Sequence, residues 1–118
     1  QPMCLPGLAA AAGAVSVSRW TTLHVRQLKD AISRALDTEG FTFIEALSPC
    51  PIGFGRPNDV GDGLEEMESY RDRCVVDHAA EPAKVGIDLR DKSKPIILGD
   101  FVRNERPCFR PGKRPEGP

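Results

Sequence analysis

The sequence predicts an α/β fold: one βαβ crossover with a mostly parallel sheet, followed by an irregular C-terminal extension. Three observations predict it. Residues 15–18, Val-Ser-Val-Ser, are a short run of small and β-branched residues suited to a strand covered on both faces. Val25, Leu28, Ile32, Ala35 and Leu36 then recur at helical spacing. A second apolar run, residues 41–47, opens directly after Gly40. Strand, helix and strand in that order make a right-handed parallel crossover.

Taken along the chain, the first strand is expected to stop where Arg19-Trp20-Thr21-Thr22 interrupts the run, with Thr22 as the N-cap of the helix. Gly40 is the expected C-terminal cap. Glycine and proline are so dense over residues 51–63 that a long loop is expected there. Residues 64–76 read as a helix with Leu64, Met67, Tyr70 and Cys74 on one stripe, which makes Cys74 a packing residue. Residues 79–91 are weakly patterned, and residues 95–102 read as a late strand. The chain divides at residue 103: residues 1–103 carry the fold, and residues 104–118, rich in Pro, Arg and Gly, are an expected disordered tail.

A length of 118 residues leaves room for one core. With 11 Gly, 11 Pro and only 6% aromatic residues, much of the chain must be turn or loop. A net charge of -1 supplies no field to draw nucleic acid or an anionic membrane surface, so neither is an expected partner. No stretch approaches the roughly 20 apolar residues that span a bilayer. The Ala-rich residues 8–17 lack the basic lead-in of a signal peptide, and the expected location is cytoplasmic. Cys4, Cys50, Cys74 and Cys108 are far apart and form no C-x-x-C pair, so reduced thiols are expected.

Cys50 stands out among them. Ser48-Pro49-Cys50-Pro51 follows the second strand, and prolines on both sides stiffen the backbone and remove two N–H donors. The crossover puts this segment and Arg19-Trp20 beyond strand carboxyl ends, the edge where open α/β sheets hold ligands. The residues alone leave three roles open for the thiol: metal ligand, nucleophile or core filler. A nucleophile needs a neighbouring base, and neither His24 nor His78 is close in sequence; a ligand needs partners from elsewhere. Arg19 and Arg56, read as loop residues, have the forked guanidinium that clamps a carboxylate or phosphate. Trp20 suits either a pocket wall or a cover over the sheet. Gly61-Asp62-Gly63 has the triplet of a diphosphate signature, but no apolar strand leads into it and the matching Asn downstream is missing, so it reads as a turn.

Several motifs in order carry a family resemblance: Gly13-Ala14, Val17-Ser18-Arg19-Trp20-Thr21-Thr22, His24, Gln27-Leu28, Ala31-Ile32, Ala35-Leu36, Gly40-Phe41, Phe43-Ile44-Glu45, Leu47-Ser48-Pro49-Cys50-Pro51 and Phe54-Gly55-Arg56. In this order and spacing they resemble the β subunit of 2-oxoacid:ferredoxin oxidoreductases, in the C-terminal part of its thiamine-diphosphate-binding domain. Arg-Trp-Thr-Thr and Phe-Gly-Arg look most like the 2-oxoglutarate-using branch, and residues 95–102 resemble the family's terminal Gly-x-Phe-Val strap. The likeness is strongest over residues 13–56 and ends near residue 102. The family's N-terminal cysteines and its own diphosphate-binding Gly-Asp-Gly segment have no counterpart here, and Ile52 stands where the family has Thr or Val.

The resemblance implies the C-terminal βαβ portion of a thiamine-diphosphate-binding fold. It implies part of an enzyme subunit that oxidatively decarboxylates a 2-oxoacid, 2-oxoglutarate in this branch, with coenzyme A to acyl-CoA, passing electrons through a 4Fe-4S cluster to ferredoxin. Thiamine diphosphate, Mg2+ and the cluster belong to the complete subunit, and the α subunit and ferredoxin are the implied partners. Cys50 is the implied cluster ligand, the other three lying in the N-terminal part of the subunit, so the isolated chain is expected to be inactive. Arg19, Trp20 and Arg56 are candidate substrate or subunit contacts. Two alternatives stand beside this reading: a non-catalytic interaction module that keeps only the βαβ scaffold, and an enzyme of the same family using pyruvate or a branched 2-oxoacid.

Overall fold

The computed structural model describes residues 2–50, 52–53, 57 and 62–107. The chain runs through α1 (Leu5–Ala11), β1 (Ser16–Thr21), α2 (Val25–Asp37), β2 (Thr42–Leu47), α3 (Gly63–Arg73), β3 (Cys74–Val76), a 3-10 turn (Pro82–Lys84) and β4 (Ile96–Arg103). Arg56 and most of the 51–61 loop lie outside the described residues, as do Cys108 and the rest of the tail beyond Pro107.

The four strands form one sheet in the order β2-β1-β4-β3. β1 and β2 pair in parallel across α2, the crossover expected from the sequence. β3 and β4 also pair in parallel, while β1 and β4 run antiparallel with an irregularity between Val17 and Ser18. The fold is therefore α/β with a mixed, mostly parallel sheet. One face carries Trp20, Ala31, Tyr70, Ile96 and Leu98, with Leu28 and Ile44 packed against them. A second cluster joins Ala9, Ala14 and Val17 to Phe43, Phe101 and Val102.

Four local expectations are corrected. β1 continues through Arg19 and Trp20 to Thr21 instead of stopping at residue 18, because both large side chains find buried places in the core. The cap of α2 is His24, not Thr22; Thr21 Oγ1 accepts the Leu23 N–H at 3.2 Å and lies 2.8 Å from His24 Nδ1. α2 ends at Asp37 with Thr38 as its C-cap, so Gly40 serves the turn into β2. There it adopts φ +112°, and a Cβ would stand 3.2 Å from a Val15 methyl. The third helix stops at Arg73, because Cys74, Val75 and Val76 find a strand partner in Ile96, Ile97 and Leu98. α1 was not anticipated: an Ala-rich turn with Pro6 near its start, held at its base by the Cys4 thiol donating to the Pro82 carbonyl at 3.2 Å.

The main polar tie in the sheet is Arg19, only 1% exposed. Its Nε donates to Glu45 at 2.6 Å, and Nη1 donates to the carbonyls of Val85 at 2.6 Å and Ile97 at 3.2 Å. The guanidinium also lies 5.9 Å from the centre of the Phe101 ring. At the far side of the sheet, Arg73 donates to the carbonyls of Asp88, Leu89, Asp91 and Lys94 and so fastens the segment that leads to β4. Gly99, at φ +151°, lets the chain after β3 pass close by, since a Cβ there would stand 2.9 Å from the Asp77 carbonyl oxygen.

Removing Glu45 leaves the Arg19 cation buried without its counter-charge. Glu45→Ala is expected to cost about 3–5 kcal/mol in urea unfolding, and the double change Arg19→Met with Glu45→Leu to recover most of it. Alkaline pH supplies a second check. Burial raises the Tyr70 hydroxyl from 10.0 to about 12, with Glu66 adding to the effect, and raises the Cys74 thiol from 9.0 to about 11. Both groups favour the folded state while protonated. Their contribution is complete below about pH 9 and is lost as pH climbs through 11 to 12, so the loss of stability over that window should be shallower in Tyr70→Phe.

Candidate functional site

At the carboxyl ends of the parallel pair the Thr22 N–H donates to the Leu47 carbonyl at 2.9 Å, which fixes where the chain leaves β2. Three residues later comes Cys50, a free, exposed cysteine. Gly53 packs close to its sulfur: a Cβ at residue 53 would stand 3.0 Å from Cys50 Sγ. The Cys50 backbone N–H donates to Glu66 Oε2 at 3.0 Å.

Glu66 reaches this position through the start of α3. Asp62 is the N-cap: its carboxylate accepts the N–H groups of Leu64 and Glu65, and Glu65 accepts the Asp62 N–H at 2.8 Å, a complete capping box. One turn further in, Glu66 is 4% exposed, and its Oε1 is buried with no hydrogen-bond partner among the described residues. One turn beyond that, Tyr70 packs into the cluster of Trp20, Ile96 and Leu98 and holds the helix against the sheet. A contact chain thus runs from the core through Tyr70 and Glu66 to the backbone of Cys50.

The expected site residues have different fates. Cys50 occupies the sheet edge at which the sequence placed it. Arg19 belongs to the interior of β1 rather than a loop, and its guanidinium is bound to Glu45, Val85 and Ile97. Trp20 is 2% exposed and covers the sheet, with the rings of His24 and His78 centred 6.0 and 5.9 Å away. Its Nε1 is buried and has no hydrogen-bond partner among the described residues. Arg56 lies outside the described residues. Sequence reasoning missed Glu66; the available signal was an acidic residue four positions before Tyr70, on the inward stripe of an amphipathic helix.

Chemically, an exposed Cys50 sulfur is able to serve as a single metal ligand. No group of three or more His, Cys, Asp or Glu able to hold a metal ion occurs among the described residues, so the remaining ligands of a cluster would come from outside them. Asp62 is committed to its cap and does not fit a diphosphate or magnesium site. No helix among the described residues is long and apolar enough to cross a membrane.

The chain is 38% identical over 109 residues to the 2-oxoglutarate synthase subunit KorB of Methanothermobacter thermautotrophicus, and 36% identical over 106 residues to that of Methanothermobacter marburgensis. It is KorB-like over nine tenths of its length. The KorB of Methanocaldococcus jannaschii is 32% identical over 107 residues. The chain spans only 36–38% of the length of these KorB relatives. No family model and no solved structure matches it. The α/β architecture is consistent with the C-terminal portion of a thiamine-diphosphate-binding domain in a KorB-like subunit.

Thiol labelling checks the site geometry. At pH 8, iodoacetamide is expected to modify Cys50 well before Cys74, whose thiol burial pushes up to about 11. The Cys74 rate should climb about tenfold per pH unit until that value, as its thiolate fraction does. Equal rates at the two positions, read by peptide mass, would contradict the structure.

Proposed function

We propose that residues 1–103 are the C-terminal part of the β subunit of a 2-oxoglutarate:ferredoxin oxidoreductase, with Cys50 as the one ligand this chain gives to a 4Fe-4S cluster. The carrying observation is the KorB likeness across nine tenths of the chain, with the exposed, proline-flanked Cys50 at the sheet's carboxyl edge. In the complete enzyme, thiamine diphosphate supplies the decarboxylation chemistry and the cluster an electron path to ferredoxin. The share of this chain is structural and electronic: Arg19 and Glu45 align β1 with β2, and the end of β2 delivers Cys50.

Two surfaces support incorporation into a larger subunit. β2 ends the sheet, and its outer edge has no strand partner among the described residues. Beside it α2 exposes Val25, Ile32 and Leu36, at 65%, 46% and 83%. An apolar stripe next to an unpaired strand edge is suited to cover by further chain, here the remaining part of the subunit and its α-subunit partner.

The test is anaerobic co-expression of the chain with the remainder of the Methanothermobacter marburgensis KorB and its α subunit. A brown complex that reduces viologen with 2-oxoglutarate and coenzyme A is expected; pyruvate or a branched 2-oxoacid as the better substrate would move the assignment to another branch. Cys50→Ala should abolish bound iron and viologen reduction. Iron content unchanged in that variant would refute ligation, and a chain that stays monomeric and binds neither component would favour the non-catalytic interaction module.

A further inference from the structure

We propose that β2 is an inner strand of a larger sheet, and that a strand from the part of the KorB-like subunit outside this chain pairs with its outer edge and covers the adjoining flank of α2. The inference rests on the family reading above and commits that surface to one occupant. The two ends of the sheet are built differently. β3 is three residues long and runs straight into a turn, and a very short edge strand is one way proteins blunt a sheet end. β2 has no such protection: its six residues, Thr42–Leu47, hold no lysine or proline, and its pairing with β1 is regular throughout. Its one charge, Glu45, is taken up by Arg19. Phe43 packs into one apolar cluster and Ile44 into the other, so β2 is apolar on both faces, the make-up of a strand with neighbours on both sides.

The backbone shows which groups wait for that neighbour. The Phe41 and Leu47 carbonyls accept the N–H groups of Val15 and Thr22. Backbone groups alternate sides along a strand, so residues 41, 43, 45 and 47 face β1, and the N–H and C=O groups of Thr42, Ile44 and Ala46 point outward. Among the described residues no strand meets them. The apolar stripe of α2 lies on the same side. Arg34 donates to Asp100 of β4 at 2.9 Å, which turns its side of the helix toward β4. Val25, Ile32 and Leu36 stand about half a turn round from Arg34 and so flank β2, the opposite end of the sheet order. One added strand with apolar cover therefore meets both needs. The chain spans only 36–38% of its KorB relatives, and the rest of one polypeptide reaches this edge at a high effective concentration that a second copy or another subunit lacks.

The test is amide hydrogen exchange, read on the chain alone and on the chain co-expressed with the remainder of the Methanothermobacter marburgensis KorB without its α subunit. In the dilute chain, Phe43, Glu45 and Leu47 should be protected and Thr42, Ile44 and Ala46 should exchange freely; in the complex these three should slow by about tenfold or more. Ala46→Pro, which removes an outward N–H that β1 does not use, and Leu36→Lys, at a position 83% exposed, should each leave the chain folded and weaken capture of the remainder by about tenfold or more. Edge amides already protected in the dilute chain, no capture of the remainder, or capture that leaves those amides free and both variants unaffected overturns the proposal. Protection that grows with concentration in the chain alone would name a second copy as the occupant, and protection only once the α subunit is added would name that subunit; either overturns it. Iron retained by Cys50→Ala would strike the ligand reading and leave the edge result standing.

Discussion

A guanidinium buried to 1% exposure must have its donors met inside the protein, and meeting those of Arg19 draws together three other parts of the chain. Arg19 faces Glu45 directly in the β1–β2 register, so their ion pair favours one alignment of the parallel strands over a slipped one. Its bonds to Ile97 and Val85 add β4 and the segment before it. A one-residue slip of β2 would carry Glu45 to the other face and leave the cation unpaired. The position at which Ser48 to Cys50 leave the sheet therefore depends on a residue that never touches them.

The opposite face does comparable work with apolar contacts. Trp20, next to Arg19 in β1, turns to the other side and builds the core in which Tyr70 sits. Tyr70 anchors α3, and α3 carries Glu66 to the Cys50 backbone. The exposed thiol is thus governed from both faces of one strand, by an ion pair that sets the register and by a packed cluster that places the second contact. This arrangement gives Arg19 and Trp20, expected at the sequence level to meet substrate or a partner subunit, a demonstrable role in shaping the fold.

Legibility in the sequence followed the range of the interactions. The βαβ crossover and the exit of Cys50 were readable because helical spacing, strand runs and proline stiffness are local signals. The end of β1 was misplaced because Arg19 resembles a loop residue until Glu45 is known to lie beside it. The last residues of the expected third helix became β3 because their partner strand begins at Ile96, well beyond any local window. The turn reading of Gly61-Asp62-Gly63 sharpened into a capping box at Asp62, a motif that had its Glu65 signal in plain sequence.

By itself, then, the sequence determined the fold class, the parallel crossover and a stiffly presented thiol at its carboxyl edge, because each follows from contacts within a few residues. The tertiary structure alone decided what surrounds that thiol. The guanidinium that sets the β2 register reaches partners 66 and 78 residues away, and the carboxylate on the Cys50 N–H comes from a helix 16 residues on. Such pairings exist only once burial has removed water as the competing partner, and no periodicity in the chain records them.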